Sequence, residues 1–338
     1  MLRLIHNTHF DFIRHWKTAA IVTGLFILIG MGMLAKHKAD YGSAVNWNVE
    51  FTGGTFMQLK FAKEQEAGAV REAVSAAGYE AEVAQFGDKT EYTVRAGAAG
   101  QEATVASADS TSTKIESALR AKFGDSTNVK VVRSEFVGPR VGAELTRNAM
   151  IAILVSFLVT MIYLAMRFEW RFGLAAILAT AHDLVATLAF IAMLRLEVSL
   201  TVVAAILTVI GYSLNDTIII FDRIRENLKK HRKEPLFDIV NRSVNETLPR
   251  SILTHATTMA ATLALLFFAG EIIRPFAWVM TFGIFTGTFS SIYVAGALLI
   301  WIERKWPRGT STDIKPPSSQ GKSGKPPARP TPAGAGSR

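Results

Sequence analysis

Residues 211–228 read GYSLNDTIIIFDRIRENL, beginning within an apolar run and ending in a burst of charge. Asn215 and Asp216 lie inside the run, ahead of the cluster Asp222-Arg223-Ile224-Arg225-Glu226. At a helical rise of about 1.5 Å per residue, Asp216 sits about 10 Å inside the point where the chain meets water. A carboxylate at that depth is costly and marks a functional position by default. Tyr212, Asp216, Ile219 and Arg223 follow at i, i+4, i+7 and i+11 and so share one helix face.

The run has company. The chain is 49% hydrophobic with a mean hydropathy of +0.25, and the apolar residues are clustered. Six segments, at 18–35, 148–167, 172–194, 198–221, 251–270 and 276–302, are long enough to cross a hydrocarbon core about 30 Å thick. The expectation is a polytopic membrane protein. The formal charge of +9 invites a nucleic-acid reading, but its placement argues otherwise. Eight Lys and Arg fall in 223–250 and eight after residue 302, whereas 36–147 holds 14 against 15 acidic residues. A one-sided excess is the positive-inside pattern and predicts both termini in the cytoplasm. With no cysteine, disulfides and thiolate metal sites are excluded.

Residues 1–17 form a basic, aromatic lead-in with Phe10, Phe12 and Trp16 and no A-x-A cleavage site after the apolar core, so a retained anchor is expected. Residues 36–147 are the one sizeable soluble part. There, 45–61 alternates apolar and polar residues around a bend or bulge at Gly53-Gly54. A helix at 64–77 precedes two short strands, 79–86 and 90–95, around Gly87-Asp88. An Ala/Gly/Ser/Thr-rich loop at 96–109, a helix at 113–123 and a strand at 129–137 complete the order β-α-β-β-α-β, the split pattern of a ferredoxin-like domain. The fold class is therefore α+β, with a soluble domain inserted after the first of six membrane helices. Residues 222–250 are expected as a cytoplasmic loop. Residues 303–338, rich in Pro, Gly, Ser and Lys, are expected as a disordered cytoplasmic tail.

Asp216 is the first candidate, with neutral Asn215 beside it and Arg223 and Asp222 closing the face. Arg250 is the second, at the mouth of the fifth span. Thr254, Thr257 and Thr258 follow it at i+4, i+7 and i+8 as one stripe. If that stripe faces the fourth span, Asp216 and Arg250 pair when the acid is ionised and part when it is protonated, a two-state element gated by a proton. His182 and Asp183 interrupt the third span. As helix neighbours they point about 100° apart and cannot face one partner, so proton route and helix bridge stay open for each. His255 suits a core or interfacial histidine, and Glu271 a solvated loop acid. No phosphate loop, nucleophile arrangement or metal-ligand spacing is visible, so no enzyme and no cofactor are expected.

Several stretches together carry a resemblance: NVEFTGGT at 48–55, VGPRVGAEL at 137–145, GYSLNDTIIIFDRIRENL at 211–228, NRSVNETLPRS at 241–251 and GTFSSIYVA at 287–295. The chain resembles the SecD/SecF family of bacterial protein export over roughly residues 1–305. Two positions depart from the family pattern, Glu50 in place of an aspartate and Pro249 in place of a small residue; the latter is expected to shift the start of the fifth helix and the reach of Arg250. The resemblance implies half of an RND-type bundle, with SecD supplying the other half, in the bacterial inner membrane and with the inserted domain in the periplasm. It implies assistance to preprotein translocation driven by the proton motive force, alongside the SecYEG channel, the SecA ATPase and YidC. It also implies that Asp216 and Arg250 are the charged pair tied to proton passage, although a lone carboxylate serves H⁺ or Na⁺ as the coupling ion. A single-chain RND exporter and a proton-independent scaffold are the competing readings. The first needs twelve spans, and the second makes Asp216 and Arg250 structural.

Overall fold

The computed structural model describes residues 10–79, 81–96, 105–124, 129–270 and 272–307. The expectations for residues 1–9, for the heart of the 96–109 loop, for Glu271 and for the tail beyond 307 lie outside these. Among the described residues, six helical spans are long and apolar enough to cross a membrane: Ile13–Tyr41, Pro139–Arg167, Trp170–Met193, Leu200–Lys230, Leu236–Phe268 and Arg274–Lys305. The first comprises a 3₁₀ turn, Ile13–His15, and α1, Trp16–Tyr41. The next four are α5, α6, α7 and α8 in that order. The last is α9 (Arg274–Ser290), a π-helical turn (Ser291–Ala295) and α10 (Gly296–Lys305).

Two expected boundaries are corrected. Residues 222–250 are not a loop: α7 runs on to Lys230 and α8 begins at Leu236, leaving only 231–235 between them. The charges at 222–230 extend the helix instead of ending it, because Glu226 pairs with Arg223 and Lys230 on the same helix. Pro249 does not set the start of a helix either. It lies inside α8, which continues through it.

Between α1 and α5 lies the soluble domain. Its elements are β2 (Gly54–Lys60), α3 (Ala67–Ala76), β3 (Ala81–Gln85), β4 (Glu91–Ala96), α4 (Val105–Phe123) and β5 (Lys130–Val137). The sheet is antiparallel in the order β3-β4-β2-β5. Its core gathers Met57, Leu59, Val94 and Tyr92 from the strands with Val70, Val74, Ile115 and Leu119 from the helices. Helix α4 begins eight residues before the expected 113. No Gly or Pro falls between 101 and 112 to stop it.

The predicted strand at 45–61 is broken in two. A short strand β1 (Asn46–Trp47) is followed by a single helical turn α2 (Val49–Thr52), capped by the Asn48 side chain accepting from the Glu50 amide. Gly53, at φ +72°, then redirects the chain into β2. A side chain at Gly53 would also lie 2.9 Å from the Pro139 Cα, and one at Gly142 2.9 Å from the Phe51 carbonyl oxygen, so this elbow sits hard against the start of α5. The elbow also grips α7. Strand β1 pairs in parallel with β6 (Glu197–Val198), and Glu50 accepts from the Leu200 amide at 2.7 Å. A carboxylate there meets the positive end of the helix dipole. Arg95 of the sheet closes the joint by pairing with Glu197 and donating to Asn46 at 3.0 Å. The soluble domain is thus fastened to the end of the helix that carries Asp216.

In the bundle, α7 packs against α6, α8 and α9, and α6 against α1 and α9. Small residues permit the approach. A Cβ on Gly283 would fall 2.2 Å from Val209, and one on Gly287 3.0 Å from Ser213. The periphery is bare. Of the most apolar stretch of α5 only 6% is buried, against 61% for the last span.

Candidate functional site

Asp216 and Asp183 are both buried in the bundle, 4% and 1% exposed. Carboxylates removed from water need hydrogen-bond donors on their oxygens, and serines supply them. One oxygen of Asp216 accepts from Ser251 Oγ of α8 at 2.5 Å, and the other from Ser291 Oγ of the π turn at 2.6 Å. On Asp183, one oxygen accepts from Ser213 Oγ of α7 and from Ser290 Oγ at 2.6 Å. The other faces His182 Nδ1 at 3.0 Å. Two adjacent serines, Ser290 and Ser291, therefore hold two different acids, at the place where the last span passes from α-helix into a π turn. Such single π turns are frequent at functional sites.

Asp216 also borders a cavity of about 80 Å³, shared with Tyr212, Asn215, Ile219, Arg250, Ser251, Thr254 and His255. That is room for a few waters. Tyr212 spans the cavity wall, its hydroxyl donating to the Thr254 carbonyl and to Thr258 Oγ1, each at 3.1 Å. His255 is buried, donates from Nδ1 to the Ser251 carbonyl at 2.6 Å and meets the Tyr212 ring edge-on at 5.2 Å. Arg250 and Asn215 are exposed on the bundle surface.

The structure thus brings together Asp216, Asn215, Arg250 and Thr254 as anticipated, with one correction. Asp216 and Arg250 share the cavity but form no ion pair within 4.0 Å. The oxygens of Asp216 accept serine hydroxyls instead, and Arg250 is exposed. Of the threonine stripe, Thr254 and Thr258 meet Tyr212, whereas Thr257 is exposed and bonds only within α8. Arg223 does not serve the acid. It pairs with Glu246 and Glu226, each at 2.5 Å, where α7 and α8 project beyond the apolar core. Asp222 pairs there with Arg167 of α5 at 3.0 Å. Gly53 and Gly54 belong to the elbow. His182 turns onto Asp183 itself, while Asp183 reaches across to α7 and the last span. The divergence of neighbouring helix positions is resolved by the histidine folding back.

Sequence reasoning missed Ser213, Ser251, Ser290 and Ser291. A signal was there: two consecutive serines in the middle of an apolar span, and a serine one turn before Asp216.

Residues 115–305 match the family model described as protein export membrane protein SecD/SecF, C-terminal. Protein translocase subunit SecF of Gemmatimonas aurantiaca is 58% identical over 91% of each chain. That of Vibrio alginolyticus is 41% identical over 84% of this chain and 87% of its own. Among solved structures, SecDF of Thermus thermophilus superposes with a TM-score of 0.76 at 35% identity, covering 90% of this chain and 40% of that one. This chain therefore corresponds to less than half of the SecDF polypeptide. It belongs to the SecD/SecF family of protein-export membrane proteins, as a multi-pass translocase subunit of the SecF type.

Proposed function

We propose that this chain uses the proton motive force, through Asp216, to assist preprotein translocation after SecA-driven insertion through SecYEG. The observation that carries the reading is a buried carboxylate with each oxygen held by one serine, at the wall of a water-sized cavity that also holds Arg250. An ionised Asp216 accepts from both hydroxyls. A protonated one is neutral, a weaker acceptor, and carries an O–H of its own to donate, so the serine bonds weaken or rearrange. Ser251 lies on α8 and Ser291 on the π turn, so a proton on Asp216 changes the ties between α7 and two neighbouring elements. One charge crossing 100 mV releases about 2.3 kcal/mol, enough to bias such a switch. Arg250, unpaired at the rim, offsets the charge of the empty acid. Helix α7 then passes its motion to the soluble domain through Glu50 and the β1–β6 pairing.

In this reading the strand order β3-β4-β2-β5 makes the soluble domain ferredoxin-like, and it lies in the periplasm where preprotein emerges. Both termini are cytoplasmic, in the bacterial inner membrane. The bare flanks of α1 and α5 and the exposed Asn215–Arg250 rim suit a SecD half completing an RND-type bundle, with YidC and SecYEG as further neighbours. The chain makes and breaks no covalent bonds and needs no cofactor beyond the coupling ion.

The test is pH-jump proton uptake in proteoliposomes holding the chain with SecD, wild type against Asp216→Asn, with and without sodium. Loss of uptake from an intact complex is expected. Unchanged uptake overturns the role of Asp216. Uptake lost together with the complex favours a scaffold, and a sodium requirement replaces the proton as the coupling ion.

A further inference from the structure

Asp183 does not border the Asp216 cavity, yet it is the more deeply buried of the two acids. It accepts from three donors on three elements: His182 of α6, Ser213 of α7 and Ser290 of α9. Two observations set it apart from a passive buried anion. The remaining ring nitrogen of its histidine, His182 Nε2, is buried and has no hydrogen-bond partner among the described residues. An orphaned buried nitrogen of this kind calls for a water or proton donor. The other is the serine pair. Ser290 and Ser291 are consecutive, so the hydroxyl that holds Asp183 and the one that holds Asp216 ride on one turn of backbone.

From these we infer that Asp183 is a second proton-binding carboxylate, loaded through His182 and coupled to Asp216 by the Ser290–Ser291 turn. The inference rests on the reading of Asp216 as the carrier of the coupling proton. Loading balances as follows. A proton from water binds His182 Nε2, and the Nδ1 proton passes to the facing oxygen of Asp183. The imidazole stays neutral in its other tautomer, and the carboxylate becomes a carboxylic acid. Asp183 then holds Ser290 less strongly. The turn behind it is π-helical, away from regular i→i−4 bonding, and so tolerates a shift of register better than an α-helix. A displaced Ser290 carries Ser291 with it and alters the bond to Asp216. Occupancy of one acid therefore changes the proton affinity of the other, by the same factor in both directions.

Few other groups compete at this depth. Helix α1 carries no titratable side chain between Lys17 and Lys36, and the last span only Tyr293 between Arg274 and Glu303. On α6, His182 and Asp183 stand alone between Arg171 and the helix end, and α5 has only Tyr163 between Arg147 and Arg167. Helix α7 contributes Tyr212 and Asp216, and α8 contributes Arg250 and His255 on the far side of Asp216.

Infrared difference spectroscopy of the reconstituted full-length chain across a pH titration, followed through the carbonyl stretch of protonated carboxylic acids, tests this. Two components are expected in the wild type. Asp183→Asn should remove one and shift the midpoint of the other by about one pH unit, a tenfold coupling of the usual allosteric size. Ser290→Ala should keep both components and reduce that mutual shift. His182→Gln should leave the equilibrium in place and slow loading of the Asp183 component at least about tenfold, as when a proton-transferring group is lost. If Asp183→Asn leaves every band in place while Asp216→Asn removes one, Asp183 is a fixed anion and this inference fails while the role of Asp216 stands. If Asp216→Asn removes no band, the reading beneath it fails first. Should Asp183→Asn fail to fold, Ser290→Ala decides: an unchanged Asp216 midpoint overturns the coupling.

Discussion

The soluble domain and the membrane bundle solve opposite problems with opposite placements of polarity. In the domain, the sheet and two helices close over Met57, Leu59, Val70, Val94 and Leu119, and the ion pairs lie outside, as with Lys60–Glu91, Arg120–Glu116 and Lys122–Glu72. In the bundle, the outer faces of α1 and α5 are bare and apolar, while the interior holds Asp183, Asp216 and four serines. Water can solvate charges on a soluble surface at no cost, so hiding any would be wasteful there. Lipid cannot, so a charge kept in the bundle has to be hidden and bonded, and is kept for a task. The two regions should therefore respond to substitution in different currencies, stability in one and ion movement in the other.

The largest effect should come from the domain core. Leu59 is fully buried between strand and helices, and Leu59→Ala should cost the domain about 2–5 kcal/mol. Hydrogen exchange on the full-length protein should show faster exchange in 54–96 and unchanged protection in α7. Loss of protection in both would make the elbow at Glu50 rigid enough to merge the regions into one cooperative unit. Next is the reverse experiment. Asp216→Asn should reduce proton uptake about a hundredfold, in line with loss of a proton-transferring group, while the melting temperature of the assembled chain falls little. The amide still meets Ser251 and Ser291 at near-identical volume. A variant that unfolds would show that the acid also holds the bundle together.

The contrast explains what the sequence discloses and what it withholds. Asp216 stands out because its cost is local, one carboxylate in an apolar run, and the six spans and the βαββαβ order follow from length and periodicity. The serines give a far weaker signal, because a hydroxyl satisfied within its own helix is unremarkable at any depth. Only tertiary packing brings Ser251 and Ser291, 35 and 75 residues from Asp216, onto its two oxygens. The failed boundaries have the same root. Charges at 222–230 mark the end of the apolar run, but helix continuation depends on Glu226 reaching Arg223 and Lys230, and on Glu246 accepting from Arg223 and Asn227 across the α7–α8 pair. The α2 elbow escapes periodicity because four residues are too few to show it.

A smaller test sits at Tyr92, a fully buried core side chain of the domain with a polar tip. Its hydroxyl donates to the Gln65 carbonyl at 2.5 Å, and burial raises its ionisation above the ordinary value. Tyr92→Phe should cost about 1 kcal/mol at neutral pH. Because the folded state favours the neutral phenol, the wild-type contribution is complete below the ordinary tyrosine value of 10.0 and is lost as pH rises through the folded value. Exchange protection of the domain should accordingly drop at alkaline pH in the wild type and less in Tyr92→Phe. A flat profile in both would mean that the phenol ionises with little hindrance.

The smallest effect belongs to the surface. Lys122 donates to Glu72 at 2.6 Å, and that hydrogen bond, ahead of the charge attraction, holds the Glu72 carboxyl below its ordinary value. A carboxyl depressed in the folded state adds stability above its ordinary value of 4.5 and loses it as pH falls through the depressed one. Lys122→Ala should therefore destabilise the domain only slightly at neutral pH and not at all in acid, and the difference should shrink as salt is added, since the pair is open to screening. Comparing the two proteins at neutral and acid pH, in low and high salt, checks all three signs. A penalty that survives both acid and salt would show that the Lys122 stem, not its charge, packs α4 against α3, which would move part of the domain's stability from its core to its surface.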